Sequence, residues 1–433
     1  MLKSGRSSDL RKPSDVLRIG VIMYQTSNSK GQELVTQRMT REFIKLGHTA
    51  YLITSPYKDG TRVISDGVFE KSEKGYLVVE DNTVHLPIIM VNGYISSWPP
   101  RRIMFRDSIS VLRRISTDLN LNTIITHSTL WNGPEEVAKF KEWWKILYES
   151  KMVDHPLIYL HMSHYQPPSV SRYEPIELAY RVAWNRSVFP LIFQEADMIL
   201  CTTPVEMEHM TRFGCPPEKL FLYPGGLDGN LIELGSKASF TNFARKYSIP
   251  EDKKIISYIG SIERRKNPLA VAKVAHLLSN RKDLYFVLAG RPGDQEKEVK
   301  LEIRNLENIK YVGEISEVDK ADLLSGSYAN IILSFMEALG LTQIESMHFG
   351  VPIVTSAADG QRWLVRDKVD GIHIEGPEDI KGAAKSICYL ADHPEDRTKL
   401  SINAKERSKM FLLNTITTSL VERLKAVMET ETM

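Results

Sequence analysis

The sequence predicts an α/β protein of two or three domains built on parallel sheets, and three observations predict it. Short apolar runs alternate with helical patterns along nearly the whole chain, the order that parallel sheets with helical crossovers require. The runs are continuous rather than alternating, as in Ile19-Gly20-Val21-Ile22-Met23 and Ile331-Ile332-Leu333, so their strands are expected to be buried on both faces. At 433 residues the chain is also long enough for two or three full cores.

The stretch from Ala329 to Thr355 carries the most information. It reads as strand, tight loop, short helix, strand. Ile331 to Phe335 is the first strand, Gly340 allows a sharp turn, and Gly350 with Pro352 stops the helix. Glu337 falls at the carboxyl end of that strand, where open α/β sheets bind their ligands. Glu345 follows eight positions later, on the helix. Between the two, the amides of Leu341 and Thr342 open a helix whose positive end suits a phosphate. A purely structural reading competes for Glu345, because Thr342-Gln343-Ile344-Glu345 is also a capping box.

Two glutamates with seven residues between them, Gly340-Leu341 inside the gap and Gly350-Val351-Pro352-Ile353-Val354 after it, resemble a family signature. It is the donor-site signature of retaining GT-B glycosyltransferases of the family-four group. The resemblance implies that Glu337 contacts the donor sugar, that Gly340, Leu341 and Thr342 hold the nucleotide's phosphates, and that Glu345 bonds the ribose hydroxyls. It also implies two Rossmann-like domains facing across a cleft, with residues 17–235 binding the acceptor and 236–413 the nucleotide sugar. A helix over 414–433 would return to the first domain, and residues 1–16 read as a disordered tail.

Composition narrows the alternatives. Hydrophobic residues make up 42% and charged residues 25%, ordinary values for a globular protein, and the formal net charge is only +2. So small a balance argues against a nucleic-acid binder. Cys201, Cys215 and Cys388 show no metal-ligand spacing and cannot all pair, which fits a reducing compartment. No apolar run approaches the length of a membrane span, and the start is polar and basic, so a cytoplasmic protein is expected.

In chain order, Leu17 to Thr54 reads as a βαβ opening with a helix from Glu33 to Leu46. It resembles the family's start, where a glycine-rich loop approaches the donor phosphate; Gly31 alone remains of the adjacent glycines, and a plain solvent turn is the alternative. Tyr76 to Val91 reads as a hairpin around Asp81-Asn82. Pro99 to Ile115 reads as a helix with Phe105, Ile109 and Leu112 at helical spacing and five arginines. A basic amphipathic segment over 101–115 suits peripheral contact with an anionic membrane; a surface helix with solvated arginines is the alternative.

The runs ending at His127 and His161 read as buried strands, and a histidine at such an end points into a cleft. His161 best matches the family's histidine near donor sugar and acceptor, with His164 second. Tyr223-Pro224-Gly225-Gly226-Leu227-Asp228 resembles the segment closing the family's first domain, so the boundary is expected between Asp228 and Ala238. In Gly260-Ser261-Ile262-Glu263-Arg264-Arg265-Lys266, cations at a strand end suit a departing diphosphate. The family has an arginine where Ser261 stands and a lysine matching Lys266; Arg265, or Arg264, would supply the missing charge. A solvated charge run is the other reading. Val312-Gly313-Glu314-Ile315 matches the base-binding turn, where backbone groups at Ile315 meet the nucleobase.

The resemblance therefore implies a retaining, metal-independent hexosyltransferase. The nucleotide sugar is its substrate rather than a cofactor, and the acceptor is expected to be a glycan or lipid-linked sugar, the lipid-linked one going with the membrane reading of 101–115, with a small sugar as the alternative. A synthase of a soluble disaccharide or sugar phosphate, a sugar-nucleotide epimerase, and a non-catalytic nucleotide-binding module are the alternatives.

Overall fold

Apolar runs without polar interruption become fully buried parallel strands, and the helices between them cover both sheet faces. The computed structural model describes residues 16–27, 31–81, 86–96, 102–129, 131–165, 167–168, 174–227 and 229–432. The tail expected over residues 1–16 thus lies almost wholly outside the described residues. The chain divides into two compact units.

The first unit contains β1 (Arg18–Met23), α1 (Gly31–Lys45), β2 (Thr49–Thr54), β3 (Tyr76–Asp81), β4 (Leu86–Val91), β5 (Gly93–Ile95), β6 (Ile103–Phe105), α2 (Ser108–Asp118), β7 (Thr123–His127), α3 (Pro134–Glu149), β8 (Ile158–Met162), α4 (Pro175–Glu195), β9 (Met198–Cys201) and β10 (Leu220–Leu222). Its main sheet runs β10-β9-β8-β7-β1-β2-β4-β3. Every neighbour is parallel except β3, which pairs antiparallel with β4 from Tyr76↔Val91 to Asp81↔Leu86. Strand order reverses at β1, flanked by β2 and β7, which puts the ligand crevice of such a sheet at the carboxyl ends of β1 and β7.

One expected element is different. The chain from Ile103 to Phe105 is a strand paired with β5, and the helix begins only at Ser108. Phe105 and Leu112 are buried, but Ile109 is exposed, so no single amphipathic stripe runs along this segment. Three of its arginines are also engaged: the Arg102 guanidinium lies 4.0 Å above the Trp184 ring, Arg106 lies over Tyr94, and Arg114 donates to the Lys74 carbonyl. Cross-strand pairing of Gly93–Ile95 with Ile103–Phe105 has overridden the helical spacing, which loosens the argument for a membrane-binding helix. Arg101 lies outside the described residues.

The second unit contains β11 (Lys254–Ile259), α5 (Pro268–Leu277), β12 (Leu284–Ala289), β13 (Ile309–Tyr311), α6 (Glu317–Ser325), β14 (Ser327–Ile332), α7 (Leu341–His348), β15 (Ile353–Thr355) and β16 (Gly371–His373), with further helices around them. Its sheet is wholly parallel in the order β13-β12-β11-β14-β15-β16, with the reversal at β11 between β12 and β14. Tyr258, Phe286, Ile331 and Val354 lie in its main core.

The chain leaves the first unit at Tyr223, ahead of the 228–238 stretch expected for the boundary. The cause is local: the Leu227 amide donates to the Phe411 carbonyl and the Leu413 amide to the Leu227 carbonyl, tying this segment to the second unit. The final helix α8 (Leu413–Thr432) counts with the first unit from Thr415 on. Its buried Thr417 hydroxyl hydrogen-bonds the buried Tyr223 hydroxyl at 2.9 Å. Among the described residues no helix is long and apolar enough to cross a membrane.

Candidate active site

Strand β14 ends at Ile332, shorter than the run to Phe335 suggests, and the chain then makes a loop from Leu333 to Gly340. Neighbours on both sides pin this loop. The Phe335 amide donates to the Arg265 carbonyl, the Gly360 amide to the Glu337 carbonyl, and the Ser356 hydroxyl to the Ser334 carbonyl at 2.7 Å. Gly360 has no room for a side chain, since a Cβ there would stand 1.7 Å from the Ala338 carbonyl oxygen.

The pinned loop sets Glu337 against Lys266, and the two form an ion pair with little exposure on either side chain. Lys266 ends a single turn of 3-10 helix, Arg264–Lys266, which Asn267 closes in a left-handed conformation at φ 54°. On that turn the two arginines diverge. Arg264 points to Glu298 in solvent, at 3.1 Å. Arg265 instead donates to the Met336 carbonyl, one residue from Glu337. Of the two candidates for the missing cation, Arg265 is the one at the site.

Directly after the loop, Gly340 at φ 103° serves as N-cap of α7, and no side chain caps the helix. Its first amides therefore present the positive end of the helix dipole beside the Lys266–Glu337 pair. A helix beginning at Leu341 also rules out the capping box at Thr342 to Glu345, because Thr342 already lies inside it. Glu345 is instead buried, and its Oε2 lies 2.8 Å from the ammonium of buried Lys320 on α6, which also meets Glu317 at 2.9 Å. Sequence reasoning missed Lys320. The local signal was the cap that fixes α6: the Ser316 hydroxyl accepts from the Asp319 amide, and Asp319 accepts back from Ser316, which turns the next residue inward.

The remaining positions of the second unit occupy turns. Ser261 is half-buried, with its carbonyl accepting from the Tyr258 hydroxyl at 2.8 Å. Ile315 packs against the core beside Gly313, whose φ is 79°, just before the α6 cap.

In the first unit, Gly31 is exposed and starts α1, and a side chain there would meet nothing within 4 Å. His161 is fully buried at the end region of β8, with Nδ1 2.8 Å from the Thr126 hydroxyl. His127 and His164 stack at 5.5 Å between ring centres. Burial, and for two of them the neighbouring imidazoles, holds all three neutral: His161 and His164 are pushed down to about 3, and His127 well below its usual value. The structure thus gathers three histidines where the sequence pointed to His161 first. A cavity of about 670 Å³ lies elsewhere, against Trp144, Tyr148 and His155 near the amino ends of β7 and β8. His155 there already bonds Asn120 at 2.7 Å. Among the described residues no cluster of His, Cys, Asp and Glu is placed to hold a metal ion.

Comparison with known proteins agrees with the fold. Residues 239–407 match the family described as glycosyl transferases group 1. A D-inositol 3-phosphate glycosyltransferase of Geodermatophilus obscurus is 24% identical over 251 residues, covering 55% of this chain and 54% of the relative. The chain thus spans about half the length of the curated relatives it matches. Sucrose-phosphate synthase of Thermosynechococcus elongatus superposes with TM-score 0.66 at 17% identity, over 95% of this chain and 99% of that one. The Anabaena protein HepE, solved with UDP and glucose, superposes with TM-score 0.64 at 15% identity, over 95% and 100%. The chain accordingly has the GT-B fold, and its segment 239–407 matches the model of the glycosyl transferases group 1.

Proposed function

We propose that the protein transfers a hexosyl group from a nucleoside-diphosphate sugar to an acceptor hydroxyl, with retention at the anomeric carbon and without a metal ion. The observation that carries this reading is the Lys266–Glu337 pair beside the uncapped start of α7. Breaking a glycosidic bond to a diphosphate leaves growing negative charge on the phosphates. Lys266, Arg265 and the amides of Leu341 and Thr342 would be preorganised positive partners for that charge, and Glu337, paired with Lys266, would offer its other oxygen to a sugar hydroxyl. Glu345 would take the ribose hydroxyls, and backbone groups around Ile315 the base. The HepE structure with UDP-glucose supports a nucleotide-sugar donor.

For the acceptor, the relative named for D-inositol 3-phosphate and the absence of a continuous basic helix over 102–115 favour a small soluble sugar over a lipid-linked one. His161, buried and neutral, is suited to accept or donate a single hydrogen bond near the reacting sugar.

The test is a panel of UDP-, GDP- and ADP-hexoses, each offered with small-sugar acceptors in the presence of EDTA. Nucleoside diphosphate release with an α-to-α product, followed by proton NMR, is the expected outcome. An inverted anomer refutes retention, epimerised donor points to an epimerase, and nucleotide binding without release points to a binding module.

A further inference from the structure

A second group of side chains in the first unit is short of hydrogen bonds, and it lies at the carboxyl edge of the sheet. Glu135 is in the first turn of α3, which follows β7; its Oε2 is closed off from solvent and has no hydrogen-bond partner among the described residues. Arg102 has one guanidinium nitrogen, Nη1, in the same condition. So has Nε1 of Trp184 on α4, whose ring carries the Arg102 guanidinium 4.0 Å above it and Tyr180 stacked at 6.1 Å. Arg102 and Glu135 interact electrostatically, yet they form no direct ion pair among the described residues. A buried polar atom left without a partner is costly, so three in one neighbourhood call for a ligand that satisfies them.

The chemistry of the three atoms selects that ligand. The carboxylate oxygen can only accept, and the guanidinium and indole nitrogens can only donate. An anion would satisfy the two donors but meet Glu135 and its neighbour Glu136, whose carboxyl burial and Glu135 already push up to about 7. A cation would fail the donors. A hydroxyl both donates and accepts, and two adjacent hydroxyls on one ring can serve the acceptor and the donors together. We propose that Arg102, Glu135 and Trp184 form a sugar subsite that takes adjacent hydroxyls of an uncharged acceptor ring. This deepens the transferase reading above and rests on it for the word acceptor, while the binding itself does not.

The test is saturation-transfer NMR titration of the full chain, saturated with UDP, with glucose, mannose and galactose, and separately with inorganic phosphate. At least one hexose binds the native protein, and its affinity falls tenfold or more in Glu135→Gln and in Arg102→Met. Trp184→Phe, which keeps the stack and loses the N–H, falls by a smaller factor. Glu135→Gln changes no volume, so it keeps the test valid if Arg102→Met folds poorly. No binding of any of the three hexoses, binding unchanged in Glu135→Gln, or phosphate binding lost in Arg102→Met each overturns the proposal. UDP affinity in the same samples reports on the transferase reading separately.

Discussion

Replacing Lys320 with methionine isolates the energetics of Glu345, the carboxylate assigned to the ribose. Its side chain is 2% exposed and that of Lys320 9%, so removing the ammonium leaves a mostly buried carboxylate without its compensating charge. Breaking a buried pair from one side costs about 3–5 kcal/mol, whereas replacing both partners is close to neutral. The second contact of Lys320 adds little, because Glu317 is 58% exposed and such a pair is worth under about 1 kcal/mol. Lys320→Met should therefore lose about 3 kcal/mol in the second unit, or about 6–12 °C in its thermal transition for a unit of this size. The double variant Lys320→Met, Glu345→Gln should recover to within about 1 kcal/mol of the native protein. Calorimetric scans of the two variants and the native chain decide it, with UDP titrations alongside. A double variant no more stable than Lys320→Met would falsify the buried-pair account. The same pair changes what Glu345→Ala should do: besides weakening nucleotide affinity, it strips buried Lys320 of a partner, so stability falls too, contrary to a purely binding role.

Four further outcomes follow from the site. Lys266→Ala should lower turnover more than donor affinity, since its charge matters most as the diphosphate departs; equal losses in kcat and in donor Kd would contradict that role. Arg265→Ala should reduce turnover while Arg264→Ala, which loses only an exposed pair with Glu298, stays near native in a side-by-side assay. Gly360→Ala should cost both activity and stability, because a Cβ 1.7 Å from the Ala338 carbonyl displaces the loop holding Glu337; native-like kinetics would show the loop is unimportant. Finally, His127, His161 and His164 all have folded pKa values below the ordinary 6.5. The unfolded chain then binds more protons below pH 6.5, so their contribution is whole above that pH and lost as pH falls toward 3, at up to about 1.4 kcal/mol per unit for each. Urea unfolding at pH 7.0 and 5.5 should show the loss in the native protein, and a smaller one in His161→Asn.

Features set by neighbours in sequence were legible before any coordinates. The strand, the glycine turn at Gly340 and the stop at Gly350 depend on local backbone conformation, and so the helix start beside Glu337 could be read directly. Lys320 could not be linked to Glu345 in that way, because β14 and its loop separate α6 from α7 in the chain and only the folded packing brings the two side chains together. The segment from Arg101 was misread for a related reason. Helical spacing of Phe105, Ile109 and Leu112 is a local pattern, whereas pairing with Gly93–Ile95 and stacking of Arg102 on Trp184, 82 positions away, are not.

The return of the chain at Thr415 has a consequence for how the protein is made. The first unit needs both Tyr223 and Thr417, and everything between Pro224 and Asn414 belongs to the other unit. During synthesis the second unit can close while the first waits, its Tyr223 hydroxyl unmatched, for Thr417 to emerge 194 positions later, roughly 10–40 seconds at ordinary ribosome speed. Disruption of the segment from Thr415 on, such as a Thr417 substitution that removes the hydroxyl, would thus unsettle the half of the molecule translated first.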